Sequence, residues 1–518
     1  MPPARQSRLR AASCIALLTA AVMIAACRPA NAPHPFVVIG IDGGEWRVIR
    51  QLWKAGELPN LRSIADRGTT ATLATAYNAS PVIWTTIATG VTPGEHGITD
   101  FVVPGPRGDV PISSGVRRVP ALWSMLSRVH RQVAVIGWWG SWPAETVEGV
   151  VVSDRALLDL DSRVYPPAYL EDFEEDLRTA RASATFDVRS EAELRDAAMA
   201  ASARRLVRRP FDLTLLYFRS ADIVSHHEWQ EDSSDGPAAV GGPSVARIYR
   251  AIDQEIGRVL AAMSGPRNVL VISDHGFRSA RTTEIRTLSN LDALLVRLGY
   301  QVRDAGGIDF ARTRFYCYGS PEYLRKKLVR FSAAGRERGG RVSTAERGAL
   351  LQSLNRDLDR VRYPNGTPVF LMRPASPLEQ RKGADVVLLL SPEGASTTVL
   401  VDGQPVQDVV LEVSRLSGTH DSGNDGILLA AGPDIEQGAA LDGIRVHDIT
   451  PTILYGLALP VAENFAGKAR VELFREEFRN AHALRTIRSW GTMRVSTARA
   501  SQADDKLMQE LRSLGYIK

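Results

Sequence analysis

Short, continuous apolar runs recur along the chain and constrain its fold more than any other feature. Each run is rich in Val, Ile or Leu and shows no alternation of apolar and polar side chains. Such runs are typical of strands that are buried on both faces of a parallel sheet. The clearest runs are FVVIGI (36–41), VAVIGW (133–138), LTLLYF (213–218), VLVIS (269–273), VVLLL (386–390) and ILLAA (427–431).

Helical patterns lie between these runs, most clearly at 246–263, where Ile248, Ile252 and Ile256 share one face. Alternating strands and helices predict an α/β fold, a doubly wound and mostly parallel sheet sandwiched by helices. Functional groups then collect beyond the carboxyl ends of the strands. Segments 155–207 and 300–383 interrupt the alternation, and we interpret both as insertions that cap the sheet.

Carboxylate and imidazole side chains occur at the ends of four runs. Asp222 and His226 are spaced i, i+4, which places both on one helical face where they can bind one ion. A single Asp after a strand is most often a cap or turn residue, so only the joint occurrence of these residues favours a metal site. The residues are Asp42 after FVVIGI, Asp222 and His226 after LTLLYF, Asp274 and His275 after VLVIS, and His420 in a Gly-rich loop before ILLAA.

A hydroxyl residue lies between the first and second of these groups. Ser80-Pro81 precedes an apolar run that ends at Gly90, which predicts a helix with Ser80 as its N-cap and Gly90 at its C-terminal end. Backbone N–H groups and the helix dipole favour negative charge at a helix N-terminus. Ser80 is therefore either a simple cap or the position of an attacking alkoxide or a bound phosphate.

The order of the motifs IDGG, SPVIWTTIATGVTPGEHGI, ADIVSH, SDHGF and GTHDSGNDGILLAAGPDI resembles the alkaline phosphatase superfamily. Within it, the set is similar to the type I phosphodiesterase/nucleotide pyrophosphatase group and to the predicted phosphohydrolases and phosphomutases related to that group. HDITPTILYGLALP (447–460) is similar to the same group. The resemblance covers about 36–300 and 385–475.

This resemblance implies two metal sites and a nucleophile. Mixed nitrogen and oxygen ligands without thiolate suit two Zn²⁺ ions, with Mn²⁺ or Fe as alternatives. One departure is Ile83, because the family's phosphodiesterases often carry Asn three residues after the nucleophile. The first site maps to Asp222, His226 and His420, the second to Asp42, Asp274 and His275, and the nucleophile, also a ligand, to Ser80.

The resemblance also implies a function. We expect a metal-dependent phosphohydrolase that cleaves phosphodiester or pyrophosphate bonds through a phospho-serine intermediate at a two-metal site. Its substrate would be a small phosphate ester, similar to a nucleotide or a lipid head group. The alternative on the same site is a phosphomonoesterase, phosphomutase or phosphoryl-type transferase. The alternative outside the enzymes is a degenerate lipoprotein that binds components of the cell surface.

The first 26 residues resemble an export signal. Residues 1–10 carry three arginines and no acid, and the apolar run that follows is short for a membrane span but suits a signal peptide. Small residues before Cys27 resemble a bacterial lipobox, so we expect lipidation at Cys27 and a membrane anchor in the bacterial cell envelope. Arg28 resembles the sorting signal for the outer membrane, with the protein facing the periplasm.

Removal of this signal changes the charge balance. Without the three arginines of residues 1–26, the chain has 60 basic and 58 acidic residues. The pI of about 9.1 therefore does not indicate binding to duplex nucleic acid. Cys317 is the one cysteine left beside the anchor, which excludes an intramolecular disulfide, and we predict that it is a small buried apolar residue.

The chain is thus expected to divide into five segments. In the last of them, Leu511, Leu514 and Ile517 share an apolar face that could dock as a terminal helix. The segments are a lipoprotein signal peptide at 1–26, a tether at 27–35, a catalytic domain formed by 36–299 and 384–475, a cap-like insertion at 300–383, and a helical tail at 476–518.

Overall fold

The computed structural model describes residues 32–513. The predicted export signal, Cys27, Leu514 and Ile517 lie outside the described residues, so lipidation at Cys27 stays a prediction. The segments within 32–513 that are not described are 106–107, 184, 187–189, 232–235, 237, 281–284, 289–290, 305–306, 318–325, 377–378, 381–382, 392–396, 408, 414–415, 421–422, 497–500 and 502.

The strands of the described chain are β1 (Phe36–Ile41), β2 (Thr69–Leu73), β3 (Val102–Gly105), β4 (Gly108–Pro111), β5 (Val133–Ile136), β6 (Gly149–Val152), β7 (Val164–Tyr165), β8 (Leu213–Phe218), β9 (Gln230–Glu231), β10 (Val240–Gly241), β11 (Asn268–Ile272), β12 (Arg278–Ser279), β13 (Ile285–Leu288), β14 (Arg303–Asp304), β15 (Gly307–Ile308), β16 (Phe315–Cys317), β17 (Lys326–Phe331), β18 (Val361–Arg362), β19 (Phe370–Pro374), β20 (Val386–Leu390), β21 (Val399–Val401), β22 (Gln404–Val406), β23 (Val410–Val413), β24 (Gly418–Thr419), β25 (Gly426–Ala431), β26 (Val461–Ala462) and β27 (Thr486–Ile487).

The α-helices of the described chain are α1 (Trp46–Lys54), α2 (Pro59–Asp66), α3 (Ser80–Thr89), α4 (Pro93–His96), α5 (Leu122–Ser127), α6 (Leu170–Arg181), α7 (Glu191–Leu206), α8 (Ser220–Glu228), α9 (Gly242–Ala261), α10 (Leu291–Arg297), α11 (Arg347–Leu358), α12 (Ile449–Gly456), α13 (Glu476–Ala481) and α14 (Asp504–Ser513).

An eight-stranded sheet lies at the centre of the molecule, in the order β2-β25-β11-β1-β8-β5-β6-β7. The five neighbours from β11 to β6 are parallel. β25 runs antiparallel to β11, and β7 runs antiparallel to β6. Every residue of β1 and β8 is buried, as expected for strands covered on both faces. The mostly parallel sheet confirms the predicted fold class.

Helices cover both faces of this sheet, because alternate residues of β1 belong to two different apolar cores. Val37 and Ile39 pack with side chains of α1, α2, α6, α7, α8 and α9. Phe36 and Val38 pack on the other face with side chains of α3, α5, α12 and α13. Burial of this apolar surface is the main stabilising contribution to a layered α/β fold.

Segment 155–207 is not an insertion, and that prediction was wrong. Its helices α6 and α7 pack on each other, and α7 also packs on β5 and β8. Along α7, Arg195 and Asp196 are buried together with a row of alanines. The charges of this segment lie inside the protein and bond to polar groups there.

The run at 386–390 forms β20. We predicted that this run belongs to the central sheet, and that prediction was wrong. It lies in an antiparallel sheet with the order β16-β17-β20-β19. Val386 and Leu388 pack into one apolar cluster, whereas Val387 packs into another. Since both faces of β20 are covered, its sequence is as continuously apolar as that of a parallel strand.

A separate apolar cluster joins side chains between Leu291 and Val410, including Phe315 and Leu354. The segment predicted as a cap, 300–383, lies within this range, and its role stays a prediction. Cys317 in β16 is half-buried rather than buried as predicted.

The C-terminal helix α14 docks on the main body through Leu511, which is buried with Ala79, Val82 and Phe101. This places α14 beside the first turn of α3. None of the helices in the described part of the chain has both the length and the apolar character that a bilayer span requires.

Gly40 allows α3 to approach the sheet closely. A Cβ atom at Gly40 would lie 2.8 Å from the ring of Trp84, which is fully buried. We therefore expect Gly40→Ala to lower the free energy of unfolding by about 1–3 kcal/mol, as overpacking does in other cores. Urea unfolding measures this, with Gly94→Ala as the control because a Cβ there meets nothing within 4 Å. Equal stability of the two variants would contradict the interpretation.

Candidate metal centre

The order of the strands brings the predicted ligands to one edge of the central sheet. β11, β1 and β8 are adjacent and parallel, so their carboxyl ends lie side by side. β25 is antiparallel to β11, and so its amino end, which follows the loop of His420, lies at the same edge. The six predicted ligands therefore meet, although one of them precedes its strand and five follow theirs.

The first group comprises Asp222, His226 and His420, whose ligand atoms lie within 4.8 Å of one another. Asp222 Oδ1 is 3.3 Å from Nε2 of His226 and 4.0 Å from Nε2 of His420. Asp222 and His226 share one face of α8, as the i, i+4 spacing predicted.

The second group comprises Asp42, Asp274 and His275, and all three residues are buried. His275 Nε2 lies 3.5 Å from Asp42 Oδ1 and 3.4 Å from Asp274 Oδ2. The same nitrogen is 4.0 Å from Asp222 Oδ1, and the ring of His275 stacks on His420 with centroids 3.6 Å apart. The two groups therefore adjoin each other.

The hydrogen bonds of two imidazole rings indicate that both groups of residues fit cations. Nδ1 of His226 is 3.2 Å from the carbonyl oxygen of Gly418, and Nδ1 of His275 is 3.0 Å from that of Gly276. A carbonyl oxygen only accepts, so Nδ1 of each ring donates, and in the neutral ring the Nε2 lone pair faces a carboxylate. Lone pairs that face each other in this way repel, and a divalent cation between them fits.

The carboxylates support the same interpretation. Asp274 Oδ2 is buried and has no hydrogen-bond donor among the described residues. Burial raises the pKa of Asp42, and so does the charge of Asp222. Burial and the charge of Asp42 raise the pKa of Asp274 well above its usual value. Burial also acts to raise the pKa of Asp222, but nearby imidazoles, His226 foremost, outweigh it and lower that pKa. Bound cations would balance such crowded carboxylates.

His420 is held neutral. Burial lowers the pKa of this imidazole well below its usual value, and the charges of His275 and His226 lower it further. A neutral imidazole is the form that coordinates a metal. The two groups of residues fit two divalent cations, and their assignment as ligands stays a prediction.

Ser80 lies at this centre. Its Oγ donates to Asp42 Oδ1 at 3.3 Å and lies 3.4 Å from His275 Nε2. Ser80 is the first residue of α3, and Ala79 rather than Ser80 is the N-cap, which corrects the prediction by one position. Pro81 fits the first turn of a helix because the missing N–H would have no helical partner there. The helix ends at Gly90 as predicted.

The amino end of α3 offers few donors to an anion. Pro81 has no N–H, and the N–H groups of Val82 and Ile83 both donate to the carbonyl oxygen of Ala79. The Ile83 side chain is fully buried in the core between α3 and the sheet. The position at which related phosphodiesterases often carry Asn therefore contributes no polar group to this centre.

Sequence reasoning missed the residues that hold the ligands. Tyr217 of β8 donates a short hydrogen bond to Asp42 Oδ2. Trp139 Nε1 donates to the hydroxyl of Tyr217 at 2.6 Å and lies 3.4 Å from Asp42 Oδ2. The available signal was position, because Trp139 follows β5 at the same edge of the sheet.

Asp196 of α7 was missed because its segment was interpreted as an insertion. Its carboxylate accepts hydrogen bonds from the backbone N–H groups of Arg219 and Ser220, at the start of α8. A carboxylate at a helix N-terminus satisfies backbone donors that lack helical partners. Asp196 thereby fixes the helix that carries Asp222 and His226.

The sequence has relatives among known enzymes. A model of the family "type I phosphodiesterase / nucleotide pyrophosphatase" matches residues 36–396. The chain belongs to this family. It is therefore a phosphoric ester hydrolase of a metal-dependent family, and the resemblance predicted from its motifs is confirmed. The sequence matches no curated protein.

Solved structures of ectonucleotide pyrophosphatase/phosphodiesterase 5 are similar to this fold. Murine and human ectonucleotide pyrophosphatase/phosphodiesterase 5 are each 13% identical, with a TM-score of 0.50 over 85% of this chain and 100% of theirs. An inactive variant of the murine protein is in complex with AMP. Phosphonoacetate hydrolase from Sinorhizobium meliloti 1021, in complex with phosphonoformate, is 16% identical, with a TM-score of 0.45 over 82% of this chain and 95% of that one.

We predict that Tyr217→Phe weakens metal binding. The variant keeps the ring but loses the hydrogen bond that orients Asp42. Groups that orient metal ligands typically contribute about 10–100-fold to affinity. Competition between the protein and a chromogenic chelator for Zn²⁺ measures the change without relying on catalysis. Tyr300→Phe is the control, because its hydroxyl bonds Asp357 far from the centre in sequence, and an equal effect of both variants would contradict the role of Tyr217.

His96 ties α4 to the helix of Ser80 and makes stability depend on pH. It contacts Thr86 Oγ1 at 3.0 Å, and its Nδ1 accepts from the N–H of Ile98, which fixes the neutral tautomer. Burial, helped by the charge of Arg117, lowers the pKa of His96 to about 3. The unfolded chain binds this proton below about pH 6.5, whereas the folded protein does so only near pH 3, so stability falls on acidification between these values.

Between pH 6.5 and 5 the wild type should lose about 1.6 kcal/mol more than His96→Gln, because the full slope of about 1.4 kcal/mol per pH unit is reached only below the pKa of the unfolded imidazole. Urea unfolding at both pH values measures the difference. His130→Gln is the control, because His130 is exposed, and it should keep the wild-type pH dependence. If wild type and His96→Gln show the same dependence of stability on pH, His96 is not the group that causes it.

Proposed function

We propose that the protein cleaves phosphodiester or pyrophosphate bonds through a phospho-serine intermediate at a two-metal site. The observation that carries this proposal is the position of Ser80 Oγ. It lies 3.3 Å from Asp42 Oδ1 and 3.4 Å from His275 Nε2, at the edge where both groups of predicted ligands meet. A hydroxyl placed among metal ligands is the arrangement of an activated nucleophile.

The residues themselves define where each cation would bind. Asp222, His226 and His420 would hold one, and Asp42, Asp274 and His275 would hold the other. When bound, two divalent cations offset the charge of the carboxylates, lower the pKa of a coordinated hydroxyl and stabilise the attacking and leaving oxygens of a displacement at phosphorus. Zn²⁺ suits this ligand set, with Mn²⁺ or Fe as alternatives.

The covalent step uses Ser80. Its oxygen loses its proton and bonds to phosphorus, while the opposite ester or anhydride bond breaks and the leaving oxygen takes up a proton. Water then attacks the phosphoserine, which releases the phosphoryl product and restores the hydroxyl. Asp42 orients Ser80 through their hydrogen bond, and Tyr217 and Trp139 in turn hold Asp42.

The substrate is proposed to be a small phosphate ester that resembles a nucleotide. The family model supports this class, and a murine structural relative is in complex with AMP. Ile83 gives the centre no polar group where related phosphodiesterases often carry Asn. For this reason monoester hydrolysis and phosphoryl transfer are the alternative reactions at the same site, and the experiment distinguishes them.

The test compares wild type and Ser80→Ala on bis-p-nitrophenyl phosphate and p-nitrophenyl phosphate. We expect the wild type to turn over the diester faster, and Ser80→Ala to lose at least about 10³-fold in kcat, because loss of a nucleophile removes the covalent route. Removal of metal with a chelator should abolish turnover, and Zn²⁺ should restore it. Thr89→Ser, on the same helix, is the control.

Acid quenching of the wild type during turnover should leave a phosphoryl group on Ser80 that peptide mass spectrometry detects. Faster turnover of the monoester, or transfer of the phosphoryl group to an added alcohol, would replace the diesterase assignment. Full activity of Ser80→Ala would overturn the phospho-serine mechanism.

A further inference from the structure

A small cavity is lined in part by Trp139, whose Nε1 lies 3.4 Å from Asp42 Oδ2. Phe101 and Ile112 from the flanks of the β3-β4 hairpin line it, and Leu507 and Leu511 of α14 contribute to its walls. Its volume of about 40 Å³ holds about three water molecules. Such a volume suits a small group of a few heavy atoms, such as an oxyanion.

Three arginines and one carboxylate, Asp154, line this cavity. Each arginine lies over an aromatic ring: Arg155 over Trp142 at 4.5 Å, Arg195 over Tyr217 at 5.1 Å, and Arg219 over Trp139 at 4.9 Å. All three guanidinium groups belong to buried residues. A guanidinium that stacks through its face keeps its N–H edge for acceptors, which is the geometry that recognises oxyanions.

The neighbouring carboxylates are shared between the arginines and backbone N–H groups. Asp154 accepts from the backbone N–H groups of Gly140 and Trp142. Asp196 accepts from the backbone at the start of α8, and Arg195 Nη1 is 3.4 Å from it. Asp504 of α14 forms an ion pair with Arg155, its Oδ1 lying 3.7 Å from Nη1, which is too long for a hydrogen bond, and it also accepts from Ser501.

Arg155 supplies an independent sign of a missing ligand. Its side chain is 5% exposed, and Nη2 donates to the carbonyl oxygen of Ile112. Nη1 is buried and has no hydrogen-bond partner among the described residues. A buried charged donor without an acceptor is unfavourable by a few kcal/mol, roughly, so an acceptor is expected to bind there.

From these observations we propose that the cavity binds a second anionic group of the substrate, a phosphate, phosphonate or sulfate, through Arg155, Arg195 and Arg219. This inference rests on the proposed function, since it assumes that the first phosphoryl group lies at Ser80. Trp139 borders both positions, because its Nε1 is 3.4 Å from Asp42 Oδ2 and its ring lines the cavity beside Arg219. We therefore expect a short linker to join the two anionic groups.

The experiment uses two p-nitrophenyl phosphodiesters whose second arms have matched length. One arm is propyl, and the other is 2-phosphonoethyl. Binding of each ester to the full chain carrying Ser80→Ala, measured by calorimetry with Zn²⁺ present, gives a ratio of dissociation constants that does not depend on turnover. We expect the anionic arm to bind at least about tenfold more tightly, the effect of one good charge-assisted hydrogen bond.

Arg219→Gln and Arg155→Gln, each added to Ser80→Ala, should reduce this ratio towards one, and Arg219→Lys should restore part of it. Arg62→Gln is the matched control, because Arg62 is exposed and pairs with Asp66 on α2. Circular dichroism confirms that each variant is folded. Equal binding of the two arms, or a ratio that survives both arginine substitutions, would overturn the subsite.

The same esters separate this inference from the proposed function. p-Nitrophenol release by the wild type from both esters, with equal KM values, refutes the anionic subsite alone. No release from either ester refutes the phosphodiesterase assignment, while the binding ratio still decides whether the arginines bind an anion.

Discussion

Three buried carboxylates lie within a few ångströms of one another, and this crowding is the constraint on which the rest of the structure depends. Burial and mutual repulsion raise the pKa of Asp42 and Asp274, so an apo form of this centre is electrostatically unfavourable. A protein can keep such an arrangement when strong local packing holds the ligands in place and cations offset their charge. Here the packing comes from the fully buried strands β1, β8 and β11, each of which is followed within four residues by a predicted ligand. The most rigid part of the fold thus carries the groups that repel most.

The antiparallel direction of β25 completes this edge of the sheet and explains the glycines around His420. A Cβ at Gly418 would lie 2.1 Å from the carbonyl oxygen of Ser225, and one at Gly426 would lie 2.2 Å from that of Ser273. Both contacts are to backbone, which cannot move aside, so only glycine allows the loop to approach α8 and the end of β11. The Gly-rich sequence is therefore a packing requirement that brings the imidazole of His420 against His275.

The sequence predicted most of the centre because its ligands are local features, an acid or a histidine beside an apolar run. It predicted the fold class for the same reason, since runs such as 213–218 are buried on both faces. The prediction failed where the tertiary surroundings of a residue determine its structure and contacts. The run at 386–390 has the same composition, but two clusters outside the central sheet bury it. Asp196 is surrounded by charge in the sequence, and only the tertiary structure shows that its carboxylate binds the start of α8. Tyr217 lies inside an apolar run, where its hydroxyl gives no periodic signal.

Trp139 links two properties that are usually considered separately. Its Nε1 bonds the hydroxyl of Tyr217, which orients Asp42, and its face carries Arg219, which follows β8 and precedes the helix of Asp222. Any movement of this indole changes both the wall of the arginine-lined cavity and the support of a predicted metal ligand. Ile83 contributes no polar group to the centre, so the arginines beside Trp139 are the polar groups that we propose for recognition beyond Ser80. Trp139 therefore connects the proposed anion subsite with the hydrogen bonds that support Asp42.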